Sequence, residues 1–257
     1  MKDHIIQIDS SKCIGCSLCI NDCAVNNISI IDNKAKINSQ RCVKCGHCVA
    51  VCPKAAVSMT GFDEPPIEFD TQPIVDSQLL LESLRARRSI RQFKNKSVPT
   101  EILEKIIEAG RWTPTAKNAP SVSFLVLQDK KSEAEALAVG FFKSLLPIAK
   151  LVYPAAKGME IDDDFFFKGA PLVISILSKD KVSASLAASN MALMAESCGL
   201  GVLYSGFFTM ATNNSLSLGK ALDLGRKTNI VTTLVLGYPN VTYHRTVQKK
   251  PASVYFK

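Results

Sequence analysis

Cysteine is the residue type whose spacing carries the most chemical information in this chain. Eight of the nine cysteines lie between positions 13 and 52, in two runs with the spacing C-x2-C-x2-C-x3-C. The first run contains Cys13, Cys16, Cys19 and Cys23, and the second contains Cys42, Cys45, Cys48 and Cys52. The runs start 29 residues apart, so the segment is an internal duplication. Thiolates at such offsets suit a polynuclear metal group.

Two other uses of cysteine fit this spacing less well. Disulfide frameworks form in oxidising compartments, and the N-terminal residues MKDHIIQIDSS have neither the apolar core nor the cleavage site of a secretion signal. Zinc also uses paired C-x2-C motifs, but four cysteines per run at strict offsets exceed what a tetrahedral zinc site requires. The runs therefore predict two 4Fe–4S clusters.

The order of the cysteines also predicts which thiolates share a cluster. In bacterial two-cluster sequences with this spacing, the fourth cysteine of each run ligates the other cluster. One cluster is therefore expected to be held by Cys13, Cys16, Cys19 and Cys52. The other is expected to be held by Cys42, Cys45, Cys48 and Cys23.

Residues 1–60 resemble the bacterial two-cluster ferredoxins over their whole length. Proline follows the last cysteine of the second run, as Pro53, whereas Ala24 takes that place in the first run. The substitution removes a turn-forming residue and no ligand. Short strands covering the clusters are predicted over residues 5–8, 28–31 and 56–59.

Residues 61–78 contain three prolines and five acidic residues without an amphipathic period, which predicts a semi-extended linker. Beyond it, helical patterns cover residues 79–85, 100–110, 133–152 (interrupted at Pro147) and 182–198. Strand patterns cover residues 122–128, 171–178 and 230–237. The sequence therefore predicts a mixed α+β domain over residues 79–257, large enough for one core.

Four short motifs in this second part are chemically suggestive. The segment RRSIR, residues 87–91, offers three guanidinium groups that match phosphate oxygens, although a solvated basic turn has the same composition. Asn118 lies in a loop before a strand, the glycine-rich segment 198–206 follows a long helix, and the segment Gly237-Tyr-Pro precedes a basic tail. Glycine allows close approach of the backbone to a ligand, but segment 198–206 lacks the G-x-G-x-x-G dinucleotide fingerprint.

Taken in order, these motifs resemble the FMN-dependent nitroreductase family over about residues 79–257. The elements of the resemblance are RRSIRQF, the PTAKN loop before a strand, GAPLVIS, the glycine-rich turn and LGYP with a basic tail. The sequence therefore resembles a fusion of a two-cluster ferredoxin module with an FMN-binding domain. The expected limits are residues 1–60 for the ferredoxin module, 61–78 for the linker and 79–257 for the nitroreductase-like α+β domain.

The resemblance implies roles for individual residues. At the phosphate end of FMN it places Arg87, Arg88 (mainly through its backbone) and Ser89, with one of two tail cations, Arg245 or Lys249. Near the flavin ring it places Arg91 beside the pyrimidine ring, Asn118 in the site loop, and the backbone of Ser205 and Gly206 at the ring edge. Residues 119–120 are Ala-Pro where glutamine and proline are more usual, so a glutamine contact to substrate is not expected.

The resemblance also implies an activity and partners. We expect an oxidoreductase whose clusters relay electrons to or from FMN, which reduces a nitroaromatic, quinone or similar electron-poor substrate. A homodimer is expected, with NAD(P)H or a ferredoxin as the electron donor. Two alternatives stay open: electrons run from NAD(P)H at the flavin towards the clusters, or the chain is an electron carrier for a protein partner without a dedicated small substrate.

Composition and charge exclude several other classes of function. With 47% apolar and 21% charged residues the chain has ordinary globular usage. Its apolar stretches, 140–156 and 191–210, are interrupted by charge, which predicts no membrane span and a cytoplasmic location. The formal charge of +8 includes no run of five like charges. Two oxidised clusters reduce it to about +4 and a flavin phosphate removes about two more, so we predict no nucleic-acid partner.

Overall fold

A computed structural model describes residues 4–62, 64–225 and 229–257 of the chain. Within it the chain forms two compact units. The first comprises residues 1–74 with 115–120, and the second comprises residues 75–114 with 121–257. Each unit is described separately below.

The first unit is built from two short antiparallel strand pairs and two single-turn helices. Strand β1 (Ile6–Ile8) pairs with β4 (Val57–Met59), and β2 (Ile28–Ile31) pairs with β3 (Lys34–Ile37). The β2–β3 hairpin, whose second strand the sequence did not predict, turns through Asp32 and Asn33, both with positive φ. That conformation matches the twist of the flanking strands and suits these two residue types.

The helices of the first unit carry the third cysteine of each run. Helix α1 (Leu18–Asn21) contains buried Cys19, and α2 (His47–Ala50) contains buried Cys48. Each helix follows a residue in the left-handed conformation, Ser17 or Gly46. The apolar residues that pack with the cysteines are few, so the module has little core of its own.

The second unit contains a four-stranded antiparallel sheet in the order β5-β6-β8-β7. Its strands are β5 (Ser123–Leu127), β6 (Leu172–Leu177), β7 (Gly201–Tyr204) and β8 (Ile230–Gly237). Alternate residues of the strands enter two different apolar clusters, as the twofold period of a strand requires. Both faces of the sheet are therefore covered.

Helices provide the two outer layers of this unit. Residues of α4 (Thr100–Arg111) and α6 (Lys181–Ser197) form one apolar cluster with one face of the sheet. The opposite face packs against α5 (Lys131–Val152), α7 (Gly206–Asn214) and α8 (Leu216–Ala221), together with the buried rings of Phe166 and Phe167. A further helix, α3 (Ser77–Ala86), has no buried residue. The arrangement is the mixed α+β architecture that the sequence predicted.

Three local features differ from the sequence-based expectation. Helix α5 continues through Pro147. The proline loses its backbone hydrogen bond and crowds the preceding turn, but Ala134, Ala138 and Phe142 of the earlier turns are buried and hold the helix on the core. Thr100 is the first helical residue of α4 and does not cap it, since Pro99 occupies the cap position. The glycine-rich segment is not only a turn, because it includes strand β7.

Strand β7 has a glycine at position 201 because another segment of the same chain packs closely against the strand there and leaves no room for a side chain. A Cβ on Gly201 would lie 2.4 Å from Cγ1 of Ile90, whose side chain is buried. We therefore expect Gly201→Ala to lower the free energy of unfolding by about 1–3 kcal/mol, measured by anaerobic denaturation. The control Gly140→Ala, in helix α5 with no atom within 4 Å, should raise it by up to about 1 kcal/mol. Equal effects of the two substitutions would contradict this packing.

Candidate cluster and cofactor sites

The eight clustered cysteines surround two cavities in the first unit. One is lined by Cys13, Cys16, Cys19 and Cys52. The other is lined by Cys23, Cys42, Cys45 and Cys48. In the described residues no three Cys, His, Asp or Glu side chains are arranged to hold a single metal ion. The fold thus groups each fourth cysteine with the opposite run, as the predicted ligand sets require.

Backbone amides donate hydrogen bonds to four of these sulfurs. The amide of Ala35 lies 3.3 Å from Sγ of Cys13, and the amide of Ala56 lies 3.3 Å from Sγ of Cys52, in the first cavity. In the second cavity Asn27 donates to Cys23 at 3.3 Å and Lys44 donates to Cys42 at 3.4 Å. Donors aimed at sulfur favour the anionic, ligating form and tune cluster potential. The donor set therefore fits two thiolate-bound clusters.

The ionisation of the thiols reflects the same environment. Hydrogen bonds from Ala35 and Gly15 hold the pKa of Cys13 below its usual value. Burial, followed by the neighbouring thiols Cys42 and Cys45, raises the pKa of Cys48 to about 11. A buried thiol crowded by other thiols needs a positive partner to ionise, which iron supplies.

In the second unit, the segment RRSIRQF lies between the edge strand β7 and the chain after β8. Ile90 donates a backbone hydrogen bond of 3.0 Å to Val202 of β7, beside a parallel bridge from Ser89. Four residues later, Lys94 donates to the carbonyl of Tyr238 at 2.8 Å, and Asn240 donates back to the carbonyl of Gln92 at 2.8 Å. The tail continues past Ser89, whose carbonyl accepts from the Tyr243 hydroxyl at 3.5 Å.

Three of the motifs singled out in the sequence therefore meet in one place. They are the arginine segment, the glycine-rich segment and the Gly237-Tyr-Pro segment with the start of the basic tail. Ser89 and Arg91 are exposed there, while Arg87 and Arg88 are partly buried. The cations Arg245 and Lys249 lie further along the tail, which is exposed and has no regular structure.

Arg87 has a specific partner in this arrangement. Its Nε lies 3.0 Å from Oε1 and 2.8 Å from Oε2 of Glu196, near the end of α6. Burial raises the pKa of Glu196, and the Arg87 charge opposes that rise. The neighbouring Arg88 donates to the Arg87 carbonyl at 2.6 Å. Arg87 is thus held in a defined position and is not a solvated turn residue.

The junction of β7 and α7 offers backbone donors. Ser205 is buried: its amide donates to Thr233 at 2.8 Å and its hydroxyl donates to the Phe166 carbonyl at 3.2 Å. Both groups are thereby occupied. Gly206 is exposed at the first position of α7, with no atom within 4 Å of where a Cβ would be. Because the first amides of a helix lack intrahelical partners, the open donors lie at Gly206 and beyond.

A buried carboxylate that the sequence did not reveal supports this junction. Oε1 of Glu135, on α5, accepts from the amides of Phe166 and Phe167 at 3.1 and 2.8 Å. The Phe166 carbonyl in turn accepts the Ser205 hydroxyl bond. Burial raises the pKa of Glu135, and the two amides counteract the rise. The carboxylate fixes the segment on which the β7–α7 junction rests.

Asn118 belongs to the first unit as the contacts divide the chain. It ends the 3-10 turn Ala116–Asn118, is exposed and has a positive φ of 52°. Its own loop is held by a hydrogen bond of 2.7 Å from the Thr115 hydroxyl to the Ala119 carbonyl. The role of Asn118 beside the flavin stays a prediction.

Among the described residues, no helix is both long and apolar enough to cross a membrane.

Comparison with known proteins identifies both parts of the chain. Residues 84–238 match the Nitroreductase family, and residues 12–56 match a 4Fe-4S dicluster domain. A nitroreductase with bound FMN from Desulfitobacterium hafniense has a similar fold, with a TM-score of 0.54 and 23% identity. That similarity covers 69% of this chain and 97% of the solved one.

Two curated relatives match this chain over only part of their own length. A protein of Methanothermobacter thermautotrophicus, named after NADH dehydrogenase and NAD(P)H nitroreductase, is 26% identical over 140 residues, or 51% of this chain and 62% of its own. An iodotyrosine deiodinase of Hydra vulgaris is 23% identical over 183 residues, or 62% of this chain and 64% of its own. The chain thus spans less than two thirds of both relatives. Because the family match covers more than half of the chain, the chain belongs to the nitroreductase family and carries a 4Fe-4S dicluster domain ahead of its nitroreductase domain.

Proposed function

We propose that the chain is an FMN-dependent oxidoreductase in which two 4Fe–4S clusters pass electrons to FMN for the reduction of an electron-poor substrate. The observation that carries the proposal is the presence, in one chain, of a nitroreductase domain and of two cavities each lined by four cysteines. The FMN bound to the similar structure from Desulfitobacterium hafniense supports the choice of flavin.

The residues that the family resemblance singles out would hold the flavin. Arg87 and Ser89 are assigned to its phosphate end, with a tail cation, Arg245 or Lys249. The remaining residues are assigned to the ring: Arg91, Asn118 and the backbone at Ser205 and Gly206. Of that backbone pair, Gly206 is the donor assigned to the ring edge, because the Ser205 amide already binds Thr233.

The cofactors supply the electron chemistry: each cluster passes one electron at a time, and bound flavin collects two for the substrate. Reduction of a nitro group to a nitroso group consumes two electrons and two protons and releases water. Reduction of a quinone to a hydroquinone consumes the same numbers. The protein would bind and orient the flavin and would stabilise the negative charge that reduction places on it. We assign that stabilisation of charge to Arg91.

The domain limits, assembly and location belong to the same proposal. We assign residues 1–60 to the cluster module, 61–78 to the linker and 79–257 to the flavin domain, in a cytoplasmic homodimer. The electron donor is a low-potential ferredoxin. NAD(P)H is the competing donor, which the name of the Methanothermobacter thermautotrophicus relative supports.

Anaerobic stopped-flow spectroscopy separates these donors. Mixing with a reduced low-potential ferredoxin or dithionite should bleach the clusters first and the flavin second, and a nitroaromatic or quinone should then restore both. NAD(P)H should reduce the flavin at least about tenfold more slowly, a difference of about 1.4 kcal/mol in barrier. Rapid flavin reduction by NAD(P)H would overturn the donor assignment, and absence of substrate turnover with either donor would leave the chain an electron carrier.

A further inference from the structure

The pair formed by Arg87 and Glu196 is more enclosed than an ordinary surface ion pair. The side chains are 24% and 18% exposed, and they lie 109 residues apart in sequence. Oε1 of Glu196 accepts the hydrogen bond from Nε, and Oε2 lies 2.8 Å from the same Nε as an ion-pair contact but accepts no further hydrogen bond from the described residues. The carboxylate is therefore committed to one guanidinium edge and is otherwise incompletely satisfied.

Glu196 occupies an unfavourable place for a negative charge. It lies in the last turn of α6 (Lys181–Ser197), where the helix dipole and the free carbonyls repel anions. Burial adds to that cost and raises its pKa. Among the described residues its hydrogen-bond donor is Arg87, so the role of this carboxylate is tied to that guanidinium.

The pairing constrains how Arg87 presents its other donors. A guanidinium carries five N–H groups in a rigid planar fork, and Glu196 takes the one on Nε. The phenol of Tyr204, on β7, lies beside the same guanidinium; burial raises the pKa of Tyr204, and the charge of Arg87 and its hydrogen bond to the phenol oppose that rise. Its hydroxyl donates to the Ala188 carbonyl at 3.1 Å, so its position is fixed as well. Fixing one edge of the fork fixes the direction of the other.

We infer that Glu196 is a positioning residue for the flavin phosphate: it holds Arg87 by Nε so that the terminal Nη groups face the phosphate. The inference rests on the proposed function and deepens it. Glu196 itself does not touch the cofactor. Its negative charge weakly opposes phosphate binding, and its hydrogen bond to Arg87 outweighs that repulsion by keeping the fork oriented.

This division of effects predicts different results for two substitutions. Glu196→Gln keeps an oxygen that accepts from Nε and removes the charge, so FMN affinity should stay within about twofold of wild type or increase. Glu196→Ala releases the guanidinium, so FMN affinity should fall by about 3- to 10-fold. The control is Glu108→Ala, which deletes a carboxylate from the exposed pair with Arg111 on α4 and should change nothing.

A double-mutant cycle tests whether Glu196 affects FMN affinity through Arg87. FMN dissociation constants are measured by flavin fluorescence for wild type, Arg87→Ala, Glu196→Ala and the double variant, on intact anaerobic protein. Once Arg87 is absent, Glu196→Ala should no longer weaken binding, and it should strengthen binding slightly by removing a negative charge. A purely structural role for Glu196 predicts the same loss in both backgrounds and would overturn the inference.

A charge-preserving variant keeps the test informative if Glu196→Ala fails to fold. Arg87→Lys retains the charge but lacks the planar guanidinium, so its FMN affinity should fall below that of wild type by about as much as the affinity of Arg87→Ala does. Wild-type affinity in Arg87→Lys would overturn the inference. Failure of the proposed function has a different signature, since wild-type protein would then bind no FMN. If Arg87→Ala weakens FMN binding and Glu196→Ala does not, only the inference fails.

Discussion

Replacing Cys52 with alanine is expected to reduce the iron content of anaerobically purified protein from about eight to about four atoms per chain. The reason is that Cys52 lines the cavity shared with Cys13, Cys16 and Cys19, so its loss removes one cluster only. Alanine is preferred to serine because a hydroxyl can itself ligate iron. Iron analysis and visible absorption measure the loss, and Cys198→Ala, the cysteine outside both runs, serves as the control.

Double variants determine whether the fourth cysteines are exchanged between the runs. Cys52 and Cys13 line the same cavity, so removing both should cost no more iron than removing Cys52 alone. Cys52 and Cys42 belong to one run but line different cavities, so removing both should leave almost no iron. The opposite pattern would show that each run holds its own cluster.

The second prediction with a large expected effect distinguishes the roles of Arg87 and Arg91, which we assign to opposite ends of the flavin. Arg87→Ala should weaken FMN binding by about 10- to 100-fold, because it deletes a charge-assisted phosphate contact. The potential of retained flavin should change little, since the phosphate charge is the same in both oxidation states. Fluorescence titration and spectroelectrochemistry measure the two quantities.

Arg91→Ala should show the reverse pattern. Reduction places negative charge on the N1–C2 edge of the flavin, so loss of a nearby cation should lower the potential by about 30 mV, or about 1.4 kcal/mol for two electrons. Affinity for oxidised FMN should fall less than in Arg87→Ala. Arg85→Ala, an exposed arginine in the last turn of α3, should leave both quantities unchanged. A larger potential shift for Arg87→Ala than for Arg91→Ala would contradict the assignment.

The parts of the molecule that could be predicted are those encoded by local spacing. The cysteine offsets predicted which four cysteines line each cavity, because the duplication brings the fourth cysteine of one run to the cavity of the other. The ligand sets themselves stay a prediction. Strand β8, a segment rich in β-branched and apolar residues, was predicted at its observed limits, 230–237. Helix α4 was predicted to within one residue from its apolar stripe and first-turn acids.

The remaining features depend on contacts between distant segments. Strand β7 was missed because Gly201 lowers strand propensity, and the reason for that glycine is Ile90, more than a hundred residues earlier. The pairing of Arg87 with Glu196 was missed for the same reason, although a single acidic residue in the largely apolar sequence of α6 was a visible signal. Glu135 gave no signal, because an acidic residue near the start of a helix is ordinary.

The most direct test of the account is whether electrons leave the clusters through the flavin. Fully reduced wild-type protein, and Arg87→Ala protein freed of FMN, are each mixed anaerobically with a quinone while cluster absorbance is followed. The account predicts that cluster reoxidation is at least about tenfold slower without FMN and that added FMN restores it, since the flavin carries out the two-electron transfer. Equal rates of cluster reoxidation with and without FMN would contradict it.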